Sequence, residues 1–490
     1  MGVFERITAF ITVICITLSL CACRASSNVR IYVTLDSMPD TLDAQVAESD
    51  SELLIARNIY EGLTRQTGEG KIVLAAAEKY DFSNLTYTFT LRDNLKWADG
   101  EPLTADDFVF GLKRALSPET KAPFADLLYA IKGAKAVHSG TASKDTLGVK
   151  AVDSQTLKIK LEYDDKDFLR TLSMPVSMPC REDFFNGSIG KYGLVKECVL
   201  SNGSYRLAKW NKAENGIRLY INDEYNGEFR PENGGVFISK DKEMTAAEKM
   251  LAGETDLTIL PAEYLADASA AGIKTESVQN ICWVLSLGGE LNDGMRKALC
   301  YCFAYNTYSN DLPEGFEVAH SFIPEVLTDN ITSDGGELQF AYDPEKARSI
   351  LAEELSQFKN KKFPQTVLEY SAGEAMRGAI TSIVGDWQKS LSAFINIKAT
   401  DKSLDGELTA HTKSLCAFPV KADSYIGRYL NKFGVSYSGS VLETDKKIAS
   451  GYNLLPVAFE STIIAYRNSI SNVYTNYSGG YVDFSYVVKK

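Results

Sequence analysis

The chain has 490 residues, 45% hydrophobic and 24% charged with 14 prolines, a globular balance that excludes disordered, collagen-like and low-complexity classes. At about 150 residues per domain it holds roughly three units. Its 52 Lys+Arg against 64 Asp+Glu give a net charge of −12, which repels phosphate backbones and argues against a nucleic-acid partner.

In chain order, Arg6 precedes an apolar run from Ile7 to Ala22. That run is shorter than the ~20 residues of a permanent spanning helix. With a small residue before a cleavage point, it predicts a secretory signal over residues 1–22. Leu20-Cys21-Ala22-Cys23 looks like a bacterial lipobox, although Cys21 is unusual at its position. By that match Cys23 is lipidated, and two acyl tails hold the chain from residue 24 onward at the outer face of the membrane. An ordinary cleaved signal or an N-terminal anchor helix are the alternatives.

Residues 28–36 alternate like a strand. Ser51 to Leu63 has helical spacing, ending at Gly62. Residues 86–92 alternate strictly, and Asp99-Gly100 marks a turn. Thr104 with Asp106 and Asp107 predicts a capped helix start, running to Leu116. A strand is expected over 154–162, and another after the Asn202-Gly203 turn; helices are expected over 244–252, 293–305 and 344–355. No Pro/Ser/Gly-rich linker separates the units, so they pack together.

Beyond the signal lie Cys180, Cys198, Cys282, Cys300, Cys302 and Cys416, and spacing alone does not choose their pairing. Cys300 and Cys302, two apart on a helix, read as buried small apolar residues. There is no CxxC, and His138, His320 and His411 are scattered, so no metal or cofactor is expected. No GxSxG, Walker A, HExxH or GxGxxG occurs. Asp106-Asp107 reads as a helix-start device, because adjacent helical residues point apart. Catalysis gets no positive support, and the expectation is that the protein is not an enzyme.

The run from Asn84 to Leu116, NLTYTFTLRDNLKWADGEPLTADDFVFGLKRAL, closely resembles the signature of the bacterial extracellular solute-binding proteins of family 5, the oligopeptide, dipeptide and nickel group of ABC importers. Other matches fall in family order: Leu42-Asp43, Asn58 to Leu63, Ser201 to Tyr205 with Trp210, Leu251 to Asp256, Asp293 to Leu299, Tyr342 to Ala347, and Gly479-Gly480. The resemblance covers about 30–490 and weakens after residue 260. It implies an α/β, two-lobed periplasmic-binding-protein-like fold with two crossover strands and an inserted smaller α/β domain. On that basis lobe I comprises 24–60, 181–281 and 461–490, the inserted signature domain 61–180, and a trimmed lobe II 282–460.

The resemblance also implies the site. Glu48-Ser49-Asp50 match the segment lying along a bound peptide, although by themselves they are an acidic loop on a solvated face. Phe124, in Ala122-Pro123-Phe124-Ala125, matches a ligand-side aromatic; a core aromatic is the alternative. Cys416 and Phe418 fall in the ligand-facing segment of lobe II. Phe418 stands where the oligopeptide branch has an Asp that holds the peptide ammonium, and Asp423 is a shifted substitute. Relatives imply a Cys282–Cys416 disulfide, with Cys180–Cys198 as a weaker expectation. The implied function is a monomeric, lipid-anchored receptor that captures a peptide or peptide-like solute for an ABC permease. A sensor not coupled to transport, or a receptor for nickel or another small solute, remains open.

Overall fold

The computed structural model describes residues 29–214, 216–288, 291–322, 342–358, 361–371, 376–393, 395–400, 414–421, 451–476 and 481–490. Within these, local sequence signals become elements close to where they are expected. The first strand is Ile31–Thr34. The first helix, Asp50–Ile59, is opened by a reciprocal capping box between Ser49 and Glu52. It stops before Gly62 because its last residues are claimed from outside. The Gly203 N–H donates to the Ile59 carbonyl at 2.9 Å. The Asn202 side chain accepts from the Glu61 N–H at 3.1 Å and donates to the Glu61 carbonyl at 2.8 Å. A Cβ on Gly203 would sit 2.9 Å from the Ile59 carbonyl, so only glycine allows this approach.

The signature run folds into a strand and a helix. Its strand Thr86–Leu91 sits inside a four-stranded antiparallel sheet, beside Ala77–Ser83 and Thr156–Lys160. The helix Ala105–Ala115 follows Thr104. Asp107 is buried, accepting from the Thr104 N–H at 2.8 Å and from the fully buried Trp97 indole at 3.2 Å. Desolvation raises the Asp107 carboxyl above its usual range against those hydrogen bonds. The Asp106-Asp107 pair is therefore a cap and a core anchor. Later helices also match, with Ala246–Leu251 and Pro344–Ser356 in place. Asp293–Tyr301 ends early, where the Trp387 indole N–H donates to the Leu299 carbonyl at 3.0 Å.

Among the described residues the main sheet holds eleven strands. Two long ones, Lys274–Ser286 and Leu454–Tyr466, pair antiparallel along their whole length. At one end Leu454–Tyr466 pairs with Leu257–Leu260, and the sheet continues through Ile31–Thr34, Val236–Ser239, Gly216–Ile221 and Tyr205–Asn211. At the other end Lys274–Ser286 pairs with Ser414–Lys421, then Thr366–Ser371 and Ile395–Thr400. Two lobes result. One apolar core gathers residues from Ile31 to Leu257 with the C-terminal Ile464 to Val487, and includes the signature segment. The second gathers Cys282 to Phe459, with Trp387 and Phe303 at its centre. The two-lobed α/β fold expected from the sequence is present.

Asp165 follows the strand Thr156–Lys160 and is buried, accepting the Asp167 N–H at 2.9 Å. Burial, with Asp167 and Asp164 adding repulsion, pushes its carboxyl up to about 6 from 3.8. The native state then holds a proton that the unfolded chain has released, so this group's stabilising contribution is complete below the ordinary value and is lost as pH rises from about 4 to 6. Asp165→Asn, which keeps the acceptor oxygen, is expected to gain about 3 kcal/mol over the parent at pH 7 and little at pH 3.5. Urea titrations at both pH values check this.

Candidate functional site

The first part of the candidate site is the loop before the helix Asp50–Ile59. One carboxylate holds it. Glu52, buried, accepts the Asp40 and Thr41 amides on Oε1 at 3.2 and 3.1 Å, and the Glu48 and Ser49 amides on Oε2 at 2.9 and 3.0 Å. Charge-assisted bonds to four backbone amides fix the loop. Glu48 and Ser49 are exposed and Asp50 is partly so. The Ser49 hydroxyl accepts from the Glu52 N–H as the helix cap, so it has a structural task whatever else it touches. Upstream, Arg114 grips Asp43 with both terminal nitrogens and reaches Gln45 at 2.6 Å. These bonds tie the Leu42-Asp43 segment to the signature helix.

The second part is the strand Ser414–Lys421, which runs beside Lys274–Ser286 and carries Cys416 and Phe418. Its register pairs Cys416 with Ser286, Phe418 with Val284, and Val420 with Cys282. Cys282 and Cys416 are thus offset by four strand positions, roughly 13 Å. A disulfide needs Cα atoms within about 7 Å. The expected Cys282–Cys416 bridge is corrected on that ground. Cys180 and Cys198 are free thiols. The Cys180–Cys198 bridge is corrected on that ground; Cys180 is buried beside Tyr192, with which it shares a hydrogen bond, and burial pushes its thiol up to about 12. Cys300 and Cys302 are buried in the lobe II core, as small apolar residues would be.

Phe124 is buried in the lobe I core, which matches the alternative reading of a core aromatic and leaves little of the ring for a solute. Cys23 and Asp423 lie outside the described residues.

Between the two parts runs the paired ribbon. Its register slips twice: between Gln279 and Ile281, opposite Ser461 and Glu460, where Asn280 is extra on the first strand, and between Trp283 and Val284, opposite Ala458 and Pro456, where Val457 is extra on the second. Such a bulge bends a ribbon and raises its local twist. Around it the Trp283 indole donates to Glu460 at 2.9 Å and the Gln279 amide to Glu317 at 2.6 Å.

A buried ionic cluster went unseen in the sequence. Glu61 accepts from Arg92 at 2.9 Å and from the Tyr225 hydroxyl, with Arg65 at 3.7 Å. Arg65 binds Asp483 through Nε at 3.0 Å and through Nη2, and also donates to Ser485 at 3.1 Å. Burial disfavours the Arg65 cation, but Asp483, Tyr225 and Glu61 outweigh it and keep it charged. A cavity beside the cluster is lined by Arg57, Asn58, Glu61, Arg65, Ser173 and Asp483, among others. The only sequence signal was Glu61 within a motif; Asp483 is 418 residues from Arg65. Among the described residues no three His, Cys, Asp or Glu side chains are grouped to hold a metal.

Comparison with known proteins follows this geometry. The model of bacterial extracellular solute-binding proteins, family 5, matches residues 71–436. A dipeptide-binding protein of Bacillus subtilis is 29% identical over 370 residues, which span 71% of this chain and 66% of that protein. An Escherichia coli protein named "Probable deoxycholate-binding periplasmic protein" is 34% identical over 241 residues, 47% of this chain and 43% of its own. Among solved structures, Listeria monocytogenes OppA bound to peptide superposes with a TM-score of 0.72 at 20% identity, covering 95% of this chain and 100% of that one. At that identity the likeness speaks for the fold.

Arg65→Ala would leave Asp483 and part of Glu61 as buried charges without their cation. We expect a loss of about 3–5 kcal/mol in urea unfolding, the cost typical of breaking a buried pair from one side.

Proposed function

The chain belongs to the bacterial extracellular solute-binding proteins of family 5, and from that premise we propose that it captures peptides or peptide-like solutes between its lobes and delivers them to an ABC permease. The observation that carries this reading is the bulged two-strand ribbon joining two separate cores. A ribbon of that kind lets lobes close by bending at its bulges while each core stays packed. Closure removes water and strengthens hydrogen bonds to an enclosed backbone. The rigid loop at Glu48-Ser49-Asp50 supplies one wall, with an acidic rim suited to a peptide's amines and amides. The strand carrying Cys416 and Phe418 supplies the other, with Asp423 beyond it. Cys23 is the lipid anchor, and the chain works as a monomer at the outer face of the membrane.

Relatives support peptides as the first solute class, since a dipeptide-binding protein and a peptide-bound OppA are among them. The deoxycholate-binding name of another relative favours a second reading, an amphipathic non-peptide solute.

Isothermal titration with a pool of random two- to five-residue peptides, with deoxycholate and with nickel tests these readings. Peptide binding in the micromolar range or tighter is expected, and heat from deoxycholate alone would replace the peptide reading with the second. Asp50→Ala is expected to weaken peptide affinity about tenfold, near 1.4 kcal/mol.

A further inference from the structure

The lobe I sheet has one buried and one open face at its outer strands. Ile31, Val33, Val236, Ile238, Ile217 and Leu219 are buried on one side. Register puts the alternate positions in rows on the other. Tyr32 pairs with Phe237, Phe237 with Arg218, and Tyr220 with Arg206. Arginines lie over these rings: Arg30 at 5.1 Å and Arg218 at 4.9 Å from the Phe237 centroid, and Arg206 at 5.7 Å from Tyr220. Tyr32 is 47% exposed and Val29 43%.

The charges are unspent. Lys489 on the same side is taken by Asp256, and Lys209 by Glu214. Among the described residues no carboxylate lies within ion-pair distance of Arg30, Arg206 or Arg218; Glu214 feels Arg218 only beyond that distance. Three cations over aromatic rings are thus gathered on one face of a chain whose net charge is −12.

The chain's own path says what faces them. Six residue-to-residue steps lead from Cys23 to Val29, a reach of at most about 22 Å. We propose that this open sheet face docks on the anionic lipid headgroups of the membrane that holds the chain, so that lobe I rests against the leaflet. The inference builds on Cys23 as the anchor. The acidic body is repelled by an anionic leaflet while the arginine face is attracted, so one orientation prevails. Exposed Tyr and Val beside arginines suit the headgroup layer, where amphipathic rings and cations gather.

The test uses the full chain expressed with its own leader, lipidated, and reconstituted into phosphatidylglycerol-containing or pure phosphatidylcholine vesicles. Arginines are modified with phenylglyoxal and mapped by mass spectrometry. Arg206 and Arg218 should be protected at least fivefold with phosphatidylglycerol, and protection should vanish in 1 M salt. Arg206→Glu with Arg218→Glu should abolish the protection of Arg30, and the paired Lys substitutions should keep it. Equal modification in both vesicle types overturns the proposal. The mass of the N-terminal fragment reports lipidation separately. If Cys23 carries no acyl chain, soluble protein is sedimented with the same vesicles. At least tenfold stronger partition into phosphatidylglycerol then supports the surface without the anchor, and no preference overturns it.

Discussion

One ladder of backbone hydrogen bonds carries the molecule. Lys274–Ser286 and Leu454–Tyr466 are paired over thirteen residues each, and each end of that ribbon is built into a different apolar core. The two cores therefore share main-chain bonds where they meet. A sheet this continuous would hold the lobes in one orientation if its register were perfect. The extra residue at Asn280 breaks the register where the cores separate, and Val457 on the partner strand breaks it a second time a few residues further along.

The N-terminal half of the chain was legible because its signals are local. Thr86–Leu91 alternates in burial as it alternates in sequence. Thr104 and Ser49 sit where capping chemistry requires them. The two long strands gave no alternation to find. Leu454–Tyr466 is buried on both faces for most of its length and reads as a nearly continuous apolar run, which periodicity cannot separate from a buried helix. Their existence was implied by the resemblance alone.

The candidate site was legible in part. Glu48, Ser49 and Asp50 were named from the resemblance, yet their rigidity depends on Glu52, the partner of Ser49 in a Ser-x-x-Glu capping box that a helix reading begun at Ser51 passes over. The disulfides failed because pairing depends on register, and Cys416 and Cys282 miss each other by four positions along adjacent strands. The cluster of Glu61, Arg65, Arg92, Tyr225 and Asp483 could not be read, since sequence does not say which distant carboxylate an arginine will meet.

That cluster bears on the order of events during synthesis. Asn58 bonds to the Val482 carbonyl and the Phe484 amide, Tyr205 and Asn233 to the Phe484 carbonyl, and Arg65 to Asp483. The middle strands of the same lobe wait for Leu454–Tyr466. A chain emerging N-terminus first completes the bonding of these buried polar groups only when its last ten residues appear, although Asn58 also bonds Leu54 and Tyr205 also bonds Asn233. Lobe I therefore reaches its full set of buried hydrogen bonds only once residues 481–490 have packed against its first helix and the strand that begins at Tyr205.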